Sequence, residues 1–249
     1  MDKYGLIGYP LGHSFSRQFF TDKFAREGID AVYENFEIPS AEMLLDIVRN
    51  NPDLRGLNCT IPHKQAIIPM LDSLSEEARR IGAVNVIRIL RNANGTPILQ
   101  GFNSDVIGFT ESIKSLLSQK HHKALVLGTG GASRAICYSL TKLGLSWTYV
   151  SRIRREGILS YDEITPEVIR EHEIIVNCSP VGMFPHTSEA PQLPYEAMDC
   201  RHLLFDLIYN PEETLFMRLG AEHGATVKNG LEMLRLQAEA SWKIWNSKE

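Results

Sequence analysis

A lysine, an aspartate and several short polar side chains stand at places where this sequence turns. Asn58-Cys59-Thr60-Ile61-Pro62-His63-Lys64 follows a short apolar run, and the proline stiffens a loop in which Asn58, Thr60 and Lys64 can face one space. An ammonium there can act as a general acid/base or anchor a developing alkoxide. Asp105 ends the stretch Gly101-Phe102-Asn103-Ser104-Asp105. It could share the proton handling or cap the helix that begins near 106. Asn85 lies early in an apolar, β-branched run, an unusual place for an amide. Converting an alcohol to a ketone needs a group that takes the hydroxyl proton and a substrate held still. Taken singly, Lys64 reads as a surface charge and Asp105 as a cap.

A second constellation is built on glycine. Ala124-Leu125-Val126-Leu127 runs directly into Gly128-Thr129-Gly130-Gly131-Ala132, then Ser133-Arg134 and a helical pattern. Gly128 permits the tight turn, Gly130 lets backbone approach a pyrophosphate, and the helix start offers unpaired N–H groups. Ser133 stands where the third glycine of this dinucleotide fingerprint usually falls. Strand before and helix after raise the match above a bare glycine-rich turn. The next strand ends in Ser151-Arg152-Ile153-Arg154-Arg155, with no acid before Glu156. A carboxylate at that point would hold the ribose hydroxyls of NAD, whereas guanidinium groups suit a 2′-phosphate. The loop therefore points to NADP, with Arg152 the leading contact and Arg154 and Arg155 not ranked.

The elements that must carry these groups alternate along the chain. Strands are expected at 4–9, 31–38 and 56–60, and helices at 15–27, 41–50 and 72–81. Asn94-Gly95 lies between 83–90 and 98–102 and predicts a hairpin. The alternation restarts with strands at 123–127, 147–150, 174–177, 203–207 and 226–227 and a helix at 132–143, the signature of a parallel sheet. Residues 180–194, with four prolines, read as a loop. The segment 231–245 reads as a long helix with Leu231, Leu234, Ala238 and Trp242 on one stripe. The expected architecture is α/β with two domains. Residues 1–104 form a substrate-binding domain completed by a C-terminal helix at 230–249, and 105–229 form a Rossmann-type NADP-binding domain.

With 249 residues, 43% hydrophobic and 22% charged, the chain is an ordinary globular one and long enough for two cores. A net charge of -4 gives no basic field for nucleic acid. Cys59, Cys137, Cys178 and Cys200 are scattered, without metal-knuckle spacing. No basic, then apolar segment opens the sequence, and no apolar run reaches the length of a membrane span. These features predict a cytoplasmic protein, bound to neither membrane nor nucleic acid and holding no metal.

Eight segments, in order, resemble the shikimate dehydrogenase family. They are Gly8-Tyr9-Pro10-Leu11-Gly12-His13-Ser14-Phe15-Ser16, the 58–64 loop, Gly82-Ala83-Val84-Asn85, 101–108, the 128–134 loop, Asn177-Cys178-Ser179-Pro180-Val181-Gly182-Met183, Asp206-Leu207-Ile208-Tyr209-Asn210-Pro211, and Asn229-Gly230-Leu231-Glu232-Met233-Leu234 with Gln237-Ala238. The resemblance implies an enzyme interconverting 3-dehydroshikimate and shikimate with NADP, a step of chorismate and aromatic amino acid biosynthesis. It implies Lys64 and Asp105 as the catalytic pair, and Ser14, Ser16 and Tyr209 as hydroxyl donors to the substrate carboxylate. Asn58, Thr60, Asn85 and Gln237 would surround the ring, while Leu207 and Gly230 would line the nicotinamide side. Gly128, Thr129, Gly130, Gly131, Ala132, Ser151, Arg152, Arg154 and Arg155 would bind the cofactor. Family members occur as a monomer or homodimer.

The chain departs from the family pattern in three places. Arg17 replaces a proline, Phe20-Thr21 replaces a His-Asn pair, and Ser151-Arg152-Ile153 replaces Asn-Arg-Thr. A quinate/shikimate dehydrogenase using NAD, another two-domain dehydrogenase with a catalytic lysine, and a non-catalytic nucleotide-binding relative are the rival readings. The arginines oppose the first, the 8–16 opening opposes the second, and the presence of both Lys64 and Asp105 opposes the third.

Overall fold

The computed structural model describes residues 1–12 and 15–247, in two compact units. One comprises Met1–Ser104 with Ala238–Glu249, the other Asp105–Gln237. The first unit runs β1 (Asp2–Gly8), α1 (Phe15–Glu27), β2 (Ala31–Glu37), a 3-10 turn and α2 (Leu44–Asn50), β3 (Leu54–Cys59), α3 (His63–Ala66), β4 (Ser73–Leu74), α4 (Glu76–Ile81), β5 (Val86–Arg91) and β6 (Pro97–Phe102). The strands lie in the order β2-β1-β3-β5-β6-β4. β1 is parallel to β2 and β3, while β5 runs antiparallel to β3 and to β6. The hairpin of β5 and β6 forms as its turn residues predict: Asn92 Oδ1 accepts from the backbone N–H groups of Asn94 and Thr96 at 3.0 and 2.9 Å.

The segment 72–81 departs from its expected single helix. Asp72 N–H donates to the Leu99 carbonyl at 2.9 Å, and Ser75 N–H donates to that of Gly101 at 2.9 Å, so its first part pairs with β6. Only then does Ser75 cap α4, its hydroxyl accepting from Ala78 N–H at 3.1 Å. Sheet pairing outweighs helical propensity here because it satisfies backbone groups beside a buried strand.

The second unit runs α5 (Asp105–Lys114), β7 (Lys123–Leu127), α6 (Gly131–Lys142), β8 (Ser146–Ser151), β9 (Ile158–Ser160), α7 (Pro166–Arg170), β10 (Ile174–Asn177), β11 (Leu203–Asp206), α8 (Leu215–Glu222), β12 (Thr226–Lys228) and α9 (Leu231–Trp245). Its strands are all parallel in the order β12-β11-β10-β7-β8-β9. Counting from β7, this is the 3-2-1-4-5-6 order of doubly wound nucleotide-binding sheets. Helices cover both faces, so the central strands are apolar on both sides. Ala124, Val126, Ile174, Val176, Leu203 and Phe205 pack with Phe109, Ile136 and Leu140. Leu125, Leu127, Ile175 and Leu204 pack on the other face with Ile169, Phe216 and Met217. Residues 180–194 carry no helix or strand, as their prolines predict.

The last helix departs from expectation in two ways. Its sequence places the return to the first unit near 230, but the units divide between Gln237 and Ala238, within α9. Met233 belongs to the second unit's core, and a Cβ on Gly108 would lie 2.6 Å from the Met233 carbonyl, so α5 and α9 are in backbone contact. From Ala238 onward α9 packs on the first domain. Trp245 Nε1 donates to the Ile87 carbonyl at 3.1 Å, its ring centroid is 4.9 Å from that of Tyr4, and Glu239 pairs with the buried Lys23 at 2.9 Å. Burial opposes the Lys23 charge, but Glu239 and Glu27 outweigh it and raise its pKa. The buried positions are Met233, Gln237, Ala238, Ala240, Ser241 and Trp245, a stripe displaced from the apolar one expected. Among the described residues, no helix is long and apolar enough to cross a membrane.

Candidate active site

In the first unit the candidate groups gather where β3 ends and α3 begins. Thr60 N–H donates to the Ile7 carbonyl at 2.9 Å, and His63 N–H to the Thr60 carbonyl at 2.9 Å. The buried His63 ring sits with Nε2 at 2.6 Å from the Ile38 carbonyl. Val84 N–H holds the Lys64 carbonyl at 2.7 Å. The backbone bearing Thr60 and Lys64, both half-buried, is thus tied to three separate segments.

Behind that loop lies a buried polar network. Asn58 donates to Ser241 Oγ at 2.9 Å and to the Asn85 carbonyl at 3.3 Å, and it accepts from the Tyr33 hydroxyl at 2.8 Å. Asn85 Oδ1 accepts from Ser104 N–H at 2.7 Å while its Nδ2 donates to Ser104 Oγ at 3.0 Å, and Ser104 Oγ lies 3.1 Å from Ser241 Oγ. Ser16, buried at the start of α1, hydrogen-bonds the Tyr33 phenol. The structure therefore brings Ser16, Asn58 and Asn85 into one network. Ser14 lies outside the described residues. Arg17 is exposed, and Phe20 is fully buried with its ring stacked on Tyr33 at 4.7 Å.

In the second unit the candidate cofactor residues lie along the carboxyl edge of the parallel sheet. Gly128 adopts φ 104, which suits glycine, and a Cβ there would press on the Cys178 backbone at 3.3 Å. A Cβ on Gly130 would meet nothing within 4 Å, so the space in front of the α6 N-terminus is open. The buried Ser133 packs where the third glycine would fall and donates to the Gly130 carbonyl at 2.7 Å. β7 is flanked by β8 and β10, and the chain reverses its direction of travel across the sheet there, the position at which such sheets bind nucleotides. An extended pyrophosphate fits this cradle by shape and by the dipole of a twelve-residue helix.

One strand over, Ser151 Oγ bonds both the N–H and the carbonyl of Ile153 at 3.1 and 2.7 Å, which curls the arginine loop. Arg152, Arg154 and Arg155 are all exposed. Arg154 Nε pairs with Glu163 at 3.1 Å, which draws that guanidinium toward β9. At the ends of β10 and β11, the buried Asp206 accepts from Asn177 Nδ2 at 3.1 Å, Ile208 N–H at 3.0 Å and Thr214 Oγ1 at 2.7 Å. Burial nevertheless lifts its carboxyl to about 6. Gly230 sits against Leu207, where a Cβ would lie 2.1 Å from the Leu207 carbonyl. Tyr209 is partly exposed, Asp105 opens α5 and is buried, and Gln237 is buried with Nε2 donating to the Leu234 carbonyl at 3.0 Å.

Sequence reasoning missed Tyr33, Ser104 and Ser241. Ser241 follows Gln237 by four residues, so two polar groups share one turn-spaced face of an otherwise apolar helix, a signal that was available. Tyr33 gave none, because a strand tyrosine reads as core.

A parallel sheet of this order, with a glycine turn at its switch point and arginines after the next strand, defines the class of nicotinamide-dinucleotide-dependent oxidoreductases of two-domain build. The family model described as shikimate dehydrogenase substrate binding domain matches residues 6–87. A shikimate dehydrogenase (NADP(+)) of Caldanaerobacter subterraneus subsp. tengcongensis is 36% identical across 97% of this chain and 90% of its own length. One from Syntrophomonas wolfei is 38% identical across 96% and 88%. The crystal structure of the Thermus thermophilus shikimate 5-dehydrogenase in complex with NADP(H) and shikimate superposes with a TM-score of 0.85 at 32% identity, covering 99% of this chain and 94% of that one. The chain belongs to the shikimate dehydrogenase family.

Proposed function

We propose that this chain interconverts 3-dehydroshikimate and shikimate with NADP, within aromatic amino acid biosynthesis. The observation that carries the reading is the coexistence, in a chain alike over 97% of its length with an NADP-dependent shikimate dehydrogenase, of an open glycine cradle and a buried set of short polar side chains beside Lys64. Gly128 to Ala132 and the N-terminus of α6 hold the pyrophosphate, and Arg152 with Arg155 takes the 2′-phosphate, since Arg154 is engaged by Glu163. When bound, NADP supplies or accepts the hydride.

The remaining work falls to side chains. Lys64 and Asp105 handle the hydroxyl proton, and the Lys64 ammonium stabilises charge on the reacting oxygen. Ser16, Ser14 and Tyr209 donate to the substrate carboxylate. Asn58, Thr60, Asn85 and Gln237 hydrogen-bond the ring, and a site built this way rejects analogues lacking a hydroxyl. Leu207 and Gly230 bound the nicotinamide side.

The test is a rate assay with shikimate and quinate, each against NADP and NAD. Shikimate with NADP should give the highest kcat/KM. A preference of about tenfold or more for NAD or for quinate would overturn the assignment.

A further inference from the structure

Asn58 uses both of its amide hydrogens inside the protein. One goes to Ser241 Oγ at 2.9 Å and the other toward the Asn85 carbonyl at 3.3 Å. A backbone carbonyl can only accept, so the NH2 edge has to face it and Oδ1 has to face the other way. That oxygen accepts from the Tyr33 hydroxyl at 2.8 Å. Among the described residues, what remains of the hydrogen-bonding capacity of Asn58 is the second lone pair on Oδ1.

Tyr33 is held as firmly as the amide it serves. Its ring stacks on Phe20 with centroids 4.7 Å apart and planes 12° from parallel, and it is 4% exposed. Its single proton goes to Asn58, so without substrate the Ser16 hydroxyl donates to the phenol oxygen, and it turns from there to give its one proton to the substrate carboxylate. Phe20, on which the ring rests, stands where the sequence departs from the pattern it otherwise resembles. One phenol thus bridges two residues assigned above to the substrate.

We propose that Tyr33 is a positioning residue for the ring substrate, locking Asn58 as a pure acceptor so that the pocket reads a donating hydroxyl, not a carbonyl or ether, at the ring atom facing it. This rests on the ring acid assigned above. Burial keeps the Tyr33 phenol far above its usual range, so it remains a donor at every working pH. The specificity set here does not concern the reacting oxygen, which belongs to Lys64 and Asp105. It concerns a hydroxyl that is bound and left unchanged.

The experiment compares wild type with Tyr33→Phe, which keeps the stacked ring and removes one oxygen, and with Ser241→Ala, which returns an N–H to Asn58. Each is assayed at saturating NADP with shikimate and with two analogues, each lacking one non-reacting ring hydroxyl. Tyr33→Phe should lower kcat/KM for shikimate about tenfold, chiefly through KM, and leave one analogue unaffected, so discrimination against that analogue alone collapses. KM for NADP should not move. Ser241→Ala should narrow the same discrimination, because Asn58 can then donate as well as accept. Equal losses on all three acids, or no loss, would overturn the role of Tyr33 while leaving the enzymatic reading intact. A wild-type protein inactive on shikimate would remove both.

Discussion

Replacing Asp206 by asparagine should stabilise the protein at neutral pH, even though the wild-type carboxylate accepts three hydrogen bonds. The side chain is fully buried, and burial lifts its pKa from 3.8 to about 6 against the opposing pull of Ile208, Thr214 and Asn177. A rise of that size corresponds to about 3 kcal/mol of unfavourable ionisation in the folded state. The folded protein binds this proton more tightly than the unfolded chain. Its stability contribution therefore falls as pH rises from about 4 to about 6, and the full cost is present above that window. Asparagine keeps the contacts: its Oδ1 accepts from Asn177 and Ile208, and its Nδ2 donates to the Thr214 hydroxyl. Urea unfolding of both proteins across about pH 4 to 8 isolates this group, because the opposite dependence of Asp199, held below its usual range by Arg201, cancels in the difference. D206N should gain roughly 1–3 kcal/mol at about pH 7, with the gain vanishing near pH 4. A variant destabilised at neutral pH, or a difference flat with pH, would show that the three donors outweigh desolvation.

Gly230→Ala places a methyl 2.1 Å from the Leu207 carbonyl, a backbone atom that cannot swing aside. It should cost about 2–4 kcal/mol, read as a lower thermal midpoint. Lys64→Ala should lower kcat by roughly 10²–10⁴-fold while a fluorescence titration finds NADP binding nearly unchanged; an active variant would remove Lys64 from the mechanism. Arg152→Ala should raise KM for NADP about tenfold or more and leave KM for NAD where it was, since only NADP carries the 2′-phosphate. Gly56→Ala would drive a methyl to 2.3 Å from the Trp245 ring, so it should break the Trp245 bond to Ile87 and expose that indole to quenchers.

Much of the fold is legible because both units obey simple periods. The strand at Lys123–Leu127 and the helices at Phe15–Glu27 and Leu231–Trp245 fall where the pattern places them. The short elements are not legible. α7 and α8 span five and eight residues, too few for a 3.6-residue period to declare itself, although Thr165 and Thr214 cap them with side-chain oxygens. The single helix expected over 72–81 fails because pairing with β6 is a long-range contact that no local pattern encodes. At the candidate site, the glycine turn and the loop ending in Lys64 are readable as motifs. The burial of Asn58 beneath Tyr33 is not, since it depends on where α1, β2 and α9 meet within one unit.

The first unit draws on the two ends of the sequence. Tyr4, Phe20, Phe24 and Tyr33 pack around Trp245, and Asn58 leans on Ser241, yet 133 residues of the other unit intervene between Ser104 and Ala238. On a ribosome, the half that emerges first has to wait, its aromatic cluster lacking its central ring, while the half made later can close its own sheet at once. The order of manufacture and the order of completion are reversed between these two units, and the earlier half stays exposed to chaperones and proteases until residues 238–245 have been made.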